Sequence, residues 1–229
     1  MLKIQAEISK SSLSKIIAMA FILVVGSEIL SIGASAAIEA LLGYDENSSR
    51  WLGMLASWTP ITAVAYVVMR WSSDAVSLLK ITKLRFPWIA FGIVAGVFLL
   101  MLLDAINNFH ENAQAEMLKT NISAFRHDVS VLTIIPFLAF LMSFHILIPI
   151  FEEIVYRGMI FRHISVRFGY IPAYLITSGA FAFVHSRFVL TFIFSVVSCF
   201  LTQKSRSLIP SIVMHVTYNA LVTVCAFTL

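Results

Sequence analysis

Seven stretches of almost uninterrupted apolar residues run through this chain, at roughly 16–42, 51–69, 87–106, 131–153, 171–187, 188–203 and 208–229. A helix needs about 20 apolar residues to cross a hydrocarbon core of ~30 Å. The pattern therefore predicts an all-α fold, a polytopic transmembrane helix bundle of about seven spans. Composition agrees. Of 229 residues 59% are hydrophobic and only 12% charged, about half the ~25% of a soluble domain. That excludes a soluble globule, a disordered chain and a nucleic-acid-binding module, and makes the lipid bilayer the first partner.

Lys and Arg are unevenly placed between the stretches. Twelve of the sixteen fall at the N-terminus (Lys3, Lys10, Lys15) and in the second (Arg70, Lys80, Lys83, Arg85), fourth (Arg157, Arg162, Arg167) and sixth (Lys204, Arg206) connections. Four fall in the first, third and fifth: Arg50, Lys119, Arg126 and Arg187. Cytoplasmic loops carry the excess of positive charge, which predicts a cytoplasmic N-terminus. Ala34-Ser35-Ala36 resembles a leader cleavage site, but the run around it is too long for a signal sequence, so a retained span is expected. The one long polar connection, 107–128, is expected to be a solvated loop or a short surface helix. With no repeat and no linker, residues 1–229 read as a single transmembrane domain. Cys199 and Cys225 lie in apolar runs and read as packing residues.

Ionisable groups inside spans cost about 2.5–3.5 kcal/mol at a helix centre, so each needs a reason. Glu28 reads as a structural polar contact, Glu39 and Asp104 as interfacial, and His145 as a packing histidine. A second set is ordered and spaced. In Glu152-Glu153-x-x-x-Arg157 the residues four apart share a helix face, so Glu153 pairs with Arg157 in the favourable order. Glu152, ~100° round the helix, is left without a local counter-ion and must protonate or meet a partner on another helix. Phe181 and His185 are four apart, as are His215 and Asn219. The first pair lets a ring limit an imidazole's rotation, and the second puts two hydrogen-bonding groups on one face. Converging, these faces would enclose a polar pocket suited to catalysis or transport. Scattered, they would be interhelical glue, worth ~0.6 kcal/mol per bond.

Those three motifs, complete and in order over residues 151–219, resemble the CPBP family (CAAX protease and bacteriocin-processing, also called Abi) of intramembrane endopeptidases. The resemblance implies that Glu152 is a general base, with His185 helping to activate water. It implies that His215 and Asn219 stabilise the oxyanion, and that Glu153, Arg157 and Phe181 support the site. It further implies a membrane-associated protein or peptide as substrate, no required cofactor, and a multi-pass place in the bacterial cytoplasmic membrane. Zinc is the rival within the enzyme class: Glu152, His185 and His215 are a His₂Glu set, although no HExxH is present. Outside that class stand a proton- or ion-coupled transporter using the same ionisable groups, and a catalytically silent immunity or interaction protein. Oligomeric state is not encoded legibly.

One tension follows from helix rise. At 1.5 Å per residue His185 stands ~21 Å along a helix that starts at 171, and His215 ~10 Å along one that starts at 208. For the two to meet, the fifth helix must begin deeper or tilt, or the boundaries must differ.

Overall fold

The computed structural model describes residues 13–72, 85–107, 131–185 and 187–228. Every regular element among them is helical. Helix α1 is Leu13–Leu42, α2 is Glu46–Ser72 and α3 is Phe86–Asn107. A continuous helical rod, α4, covers residues 131–168. Then come α5 (Tyr170–Phe183), α6 (Phe188–Ser205) and α7 (Ile209–Thr228). The expected loop at 107–128 and the N-terminal Lys3 and Lys10 lie almost wholly outside the described residues.

Among the described residues seven rods thus stand where seven apolar stretches were read, but they are not seven equal spans. Four are long and apolar enough to cross a membrane: Ser14–Leu42, Glu46–Met69, Ile134–Phe168 and Phe188–Ser205. The other three are shorter apolar helices, and α5, with 14 residues, reaches only ~21 Å. The outer surface explains why the bundle needs lipid. Phe21, Ile22, Ile29, Leu41, Leu42, Val94, Phe98, Ile171 and Phe183 are all exposed. In water such patches would drive association, whereas against acyl chains they cost nothing.

The largest departure from the sequence reading is α4. It was expected to stop near 153, and it continues to Phe168. Arg157 and Arg162, counted with Arg167 in the fourth connection, are buried within it, as is His163. Arg157 and Arg162 therefore drop out of the count of charges in the connections. Gly169 ends the rod with φ +85°, a backbone that a Cβ disfavours, and the chain turns back along α4. Ring contacts record that antiparallel return: Phe161 meets Tyr174 at 5.3 Å and Tyr156 meets Phe181 at 4.9 Å between centroids. Five residues of α4 run beside seven of α5 between these contacts, a register that brings the end of α5 towards Glu152.

Rod α4 is not uniform. Its α-helical parts, Val131–Met142, Ile148–Glu152 and Arg162–Phe168, are joined by π-helical Ser143–Leu147 and Glu153–Phe161. Wider turns of this kind leave main-chain groups to be satisfied by other partners. The first has an identifiable use. The Ile148 amide donates to the Ser143 carbonyl, and residue 149 is proline and has no N–H. The Phe144 carbonyl is therefore passed over by the helix, and the Asn219 side chain donates to it at 3.0 Å.

Candidate active site

The site is built on the centre of α4 and closed by α5, α6 and α7. Glu153 is its fully buried anchor. Its Oε1 lies 3.0 Å from Arg157 Nη1 and 3.2 Å from His215 Nδ1, and its Oε2 accepts from Ser198 Oγ at 2.7 Å. Arg157 is sealed from solvent as well. Its Nη2 donates to Ser195 Oγ at 3.0 Å and its guanidinium lies over the Phe181 ring at 4.5 Å. One ion pair is thus tied to α5, α6 and α7 together. Ser195 and Ser198 are fully buried on α6 and were not singled out by the sequence. A lone Ser in an apolar helix carries no signal of what it faces.

Glu152 points to a different place. Its Oε2 is 3.5 Å from His215 Nε2 and its Oε1 is 3.9 Å from His185 Nε2. Both separations exceed the ~2.7–2.9 Å of a charge-assisted hydrogen bond. The carboxylate lines a cavity of about 160 Å³ together with Phe181, His185, His215 and Asn219. Phe144, Ile148, Leu190, Phe194 and Val222 supply apolar wall. The four residues with implied chemistry, drawn from two helices and one turn, therefore share one cavity.

Each imidazole is fixed by its Nδ1. In His185 that nitrogen is 2.7 Å from the Phe181 carbonyl, which can only accept, so Nδ1 carries the proton and Nε2 faces Glu152. The ring lies 4.5 Å from Phe181, so one phenyl separates the Arg157 guanidinium from the His185 imidazole. In His215 the partner of Nδ1 is Glu153. Phe194 braces the same ring edge-on at 4.8 Å. The helix-rise tension resolves here, because His185 stands just past the end of α5 and its ring folds back onto Phe181, while Tyr174 near the start of α5 bonds to Gln203 near the end of α6 at 2.5 Å.

Residues outside the cluster sort cleanly. His145 is buried, with Nδ1 at 3.0 Å from the Leu141 carbonyl and Nε2 at 2.9 Å from Thr223 Oγ1, a satisfied packing histidine. Glu28, expected as a structural contact, is exposed on α1. Cys199 is buried among core residues. Two close approaches escaped the sequence reading. A Cβ on Gly92 would stand 2.5 Å from the Pro210 carbonyl oxygen, and one on Gly96 would stand 2.9 Å from that of Met214. Gly92-x-x-x-Gly96 is thus the contact that lets α3 seat α7, and small residues four apart were its signal. Among the described residues no group of three or more His, Cys, Asp and Glu side chains is arranged to hold a metal ion.

Comparison with known proteins places this segment. Residues 134–221 match the family described as type II CAAX prenyl endopeptidase, Rce1-like. No curated protein and no solved structure matches the chain. The matched segment contains Glu152, Glu153, Arg157, Phe181, His185, His215 and Asn219, while α1, α2 and α3 lie outside it. Over residues 134–221 this chain is similar to the Rce1-like family of CAAX prenyl endopeptidases, and its long apolar helices make it a helical membrane protein.

Proposed function

We propose that the protein is a glutamate-type intramembrane endopeptidase that hydrolyses a peptide bond in a membrane-associated protein or peptide, with no cofactor. The observation that carries this reading is the unequal treatment of two adjacent carboxylates. Glu153 is saturated by Arg157, His215 and Ser198, whereas Glu152 faces a cavity and two imidazole edges at 3.5 and 3.9 Å. A structural pair would use both.

One charge-balanced state of the cluster fits the same assignment. Glu153 can only accept, so His215 Nδ1 must carry a proton. With a second proton on Nε2, the imidazolium and Arg157 offset Glu152 and Glu153, and the buried cluster is neutral overall. In that state Glu152 is an ionised base and His215 Nε2–H a donor. Glu152 then takes a proton from water, and the hydroxide adds to the substrate carbonyl. The oxyanion meets His215 Nε2–H and the Asn219 amide hydrogen not committed to Phe144. The proton returns to the departing amine through Glu152, with His185 holding the water in line. Base catalysis of this kind supplies about 10²–10⁴-fold, and one oxyanion donor about 10²–10³-fold.

On this reading residues 1–229 form one multi-pass domain with a cytoplasmic N-terminus, in a bacterial cytoplasmic membrane. The family description adds that prenylated C-terminal segments are a substrate class to try first. The test is cleavage of a membrane-presented peptide in proteoliposomes. Glu152→Gln and His185→Ala should both lose cleavage while remaining folded and inserted. Full activity in both variants, or ion-gradient-dependent flux with no cleavage, would overturn the assignment.

A further inference from the structure

The cavity holds one cation that the proposed reaction does not use. Arg187 precedes α6, and with Thr191, one helical turn on, it lines the same cavity as Glu152. Its Nη1 is buried without a hydrogen-bond partner among the described residues. Arg187 stands in the fifth connection, between α5 and α6, and the residues around it, Phe183, Val184, Phe188 and Val189, are exposed and apolar. A guanidinium among such neighbours is costly unless an anion meets it, and its planar fork matches a carboxylate.

We propose that Arg187 is a specificity-determining residue that binds a substrate carboxylate in the cavity, a proposal that rests on the peptidase reading above. At about 160 Å³ the cavity is close to one that takes a single benzene ring (roughly 150 Å³). It therefore encloses the scissile amide and little more, so the carboxylate lies within one or two residues of the bond cleaved. Two sources share this chemistry: the free C-terminus of the substrate, and an acidic side chain beside the scissile bond. Glu152 lines the same space, so without Arg187 an anionic substrate would be repelled from the base it must reach.

The experiment uses the full-length protein in proteoliposomes and acylated, quenched-fluorescence peptides in matched pairs. One pair has the C-terminus free or amidated, and the other has Glu or Gln next to the scissile bond. The expected result is that the wild type favours the anionic member of one pair by about tenfold or more in kcat/KM, the scale of one charge-assisted hydrogen bond. The pair that shows the preference names the source. In Arg187→Gln that ratio should fall towards one through KM, with kcat retained, and Arg187→Lys should keep part of it. Equal cleavage within both pairs by the wild type, or an Arg187→Gln loss shared equally by charged and neutral peptides, overturns the proposal. Binding of the same peptides to Glu152→Gln and to Glu152→Gln/Arg187→Gln, read by fluorescence anisotropy, separates the two ideas. A charge preference in binding that disappears with Arg187, in a wild type that cleaves nothing, would reject the peptidase and retain the carboxylate site.

Discussion

Glu153 and Arg157 meet at 3.0 Å across one turn of α4, and neither side chain is exposed. Because three neighbouring helices bond to this pair, it fixes the site's geometry rather than its chemistry. Removing one partner of a buried ion pair strands the other charge, at a cost of about 3–5 kcal/mol. Glu153→Gln should therefore lower the thermal midpoint in detergent sharply. Glu152→Gln should lower it far less, because the Glu152 contacts are longer than a hydrogen bond. Intrinsic fluorescence melts of the two variants check the contrast, and equal midpoints would remove the distinction.

Pro149 is expected to act on Asn219 from a distance. Pro149→Ala restores an amide hydrogen that can reach the Phe144 carbonyl and compete with the Asn219 side chain. The variant should fold at least as well as wild type yet lose about tenfold in kcat, part of the ~10²–10³-fold range for an oxyanion donor. Steady-state kinetics beside a thermal melt decides it. An unchanged kcat would mean that the 3.0 Å contact to Phe144 does not hold Asn219 for catalysis.

The chain's chemistry was easier to read than its geometry. Glu152, Glu153, His185 and His215 stand out because ionisable groups are rare in lipid-spanning segments, and four-residue spacing says which of them share a face. Ser195 and Ser198 do not stand out, since an apolar helix tolerates Ser whether it faces a guanidinium or nothing. The extension of α4 to Phe168 was hidden for a related reason: Arg157 and Arg162 look like loop residues until their burial is known. Arg187 does lie in a connection, but a count of positive charges does not show that it lines the cavity. The π-helical turns have no sequence period of their own.

Gly92 and Gly96 should tolerate no side chain. The atoms a Cβ would meet at 2.5 and 2.9 Å are main-chain carbonyl oxygens of α7, which cannot swing aside. Gly96→Ala should cost about 1–3 kcal/mol, as overpacking does, and should displace the helix that carries His215 and Asn219. Gly179→Ala on α5, where nothing lies within 4 Å, should instead be neutral or stabilising by about 0.5–1 kcal/mol. Melts and cleavage rates of both variants test the difference.

Asp45 caps α2, accepting from the Asn47 and Ser48 amides at 3.0 and 3.1 Å. Partial burial works against its ionisation, but the hydrogen bonds from Ser48 and Asn47 outweigh it and hold its pKa below the ordinary value. A depressed folded pKa gives stability that is present above the unfolded pKa and fades as pH falls through the folded one. Asp45→Ala should cost about 1 kcal/mol at neutral pH, as lost caps do. The gap between variant and wild-type melting points should narrow in acid. A gap that stays constant from pH 7 to pH 3 would argue against the cap.

The central claim is that one carboxylate of the adjacent pair does the chemistry while the other holds the frame. Its most direct measurement is single-turnover cleavage by Glu152→Gln, normalised to the folded, membrane-inserted fraction and taken beside wild type on the same peptide. The account predicts a rate constant at least about 100-fold below wild type, the low end for loss of a general base. Retention of more than a tenth of the wild-type rate by a folded Glu152→Gln protein would contradict it.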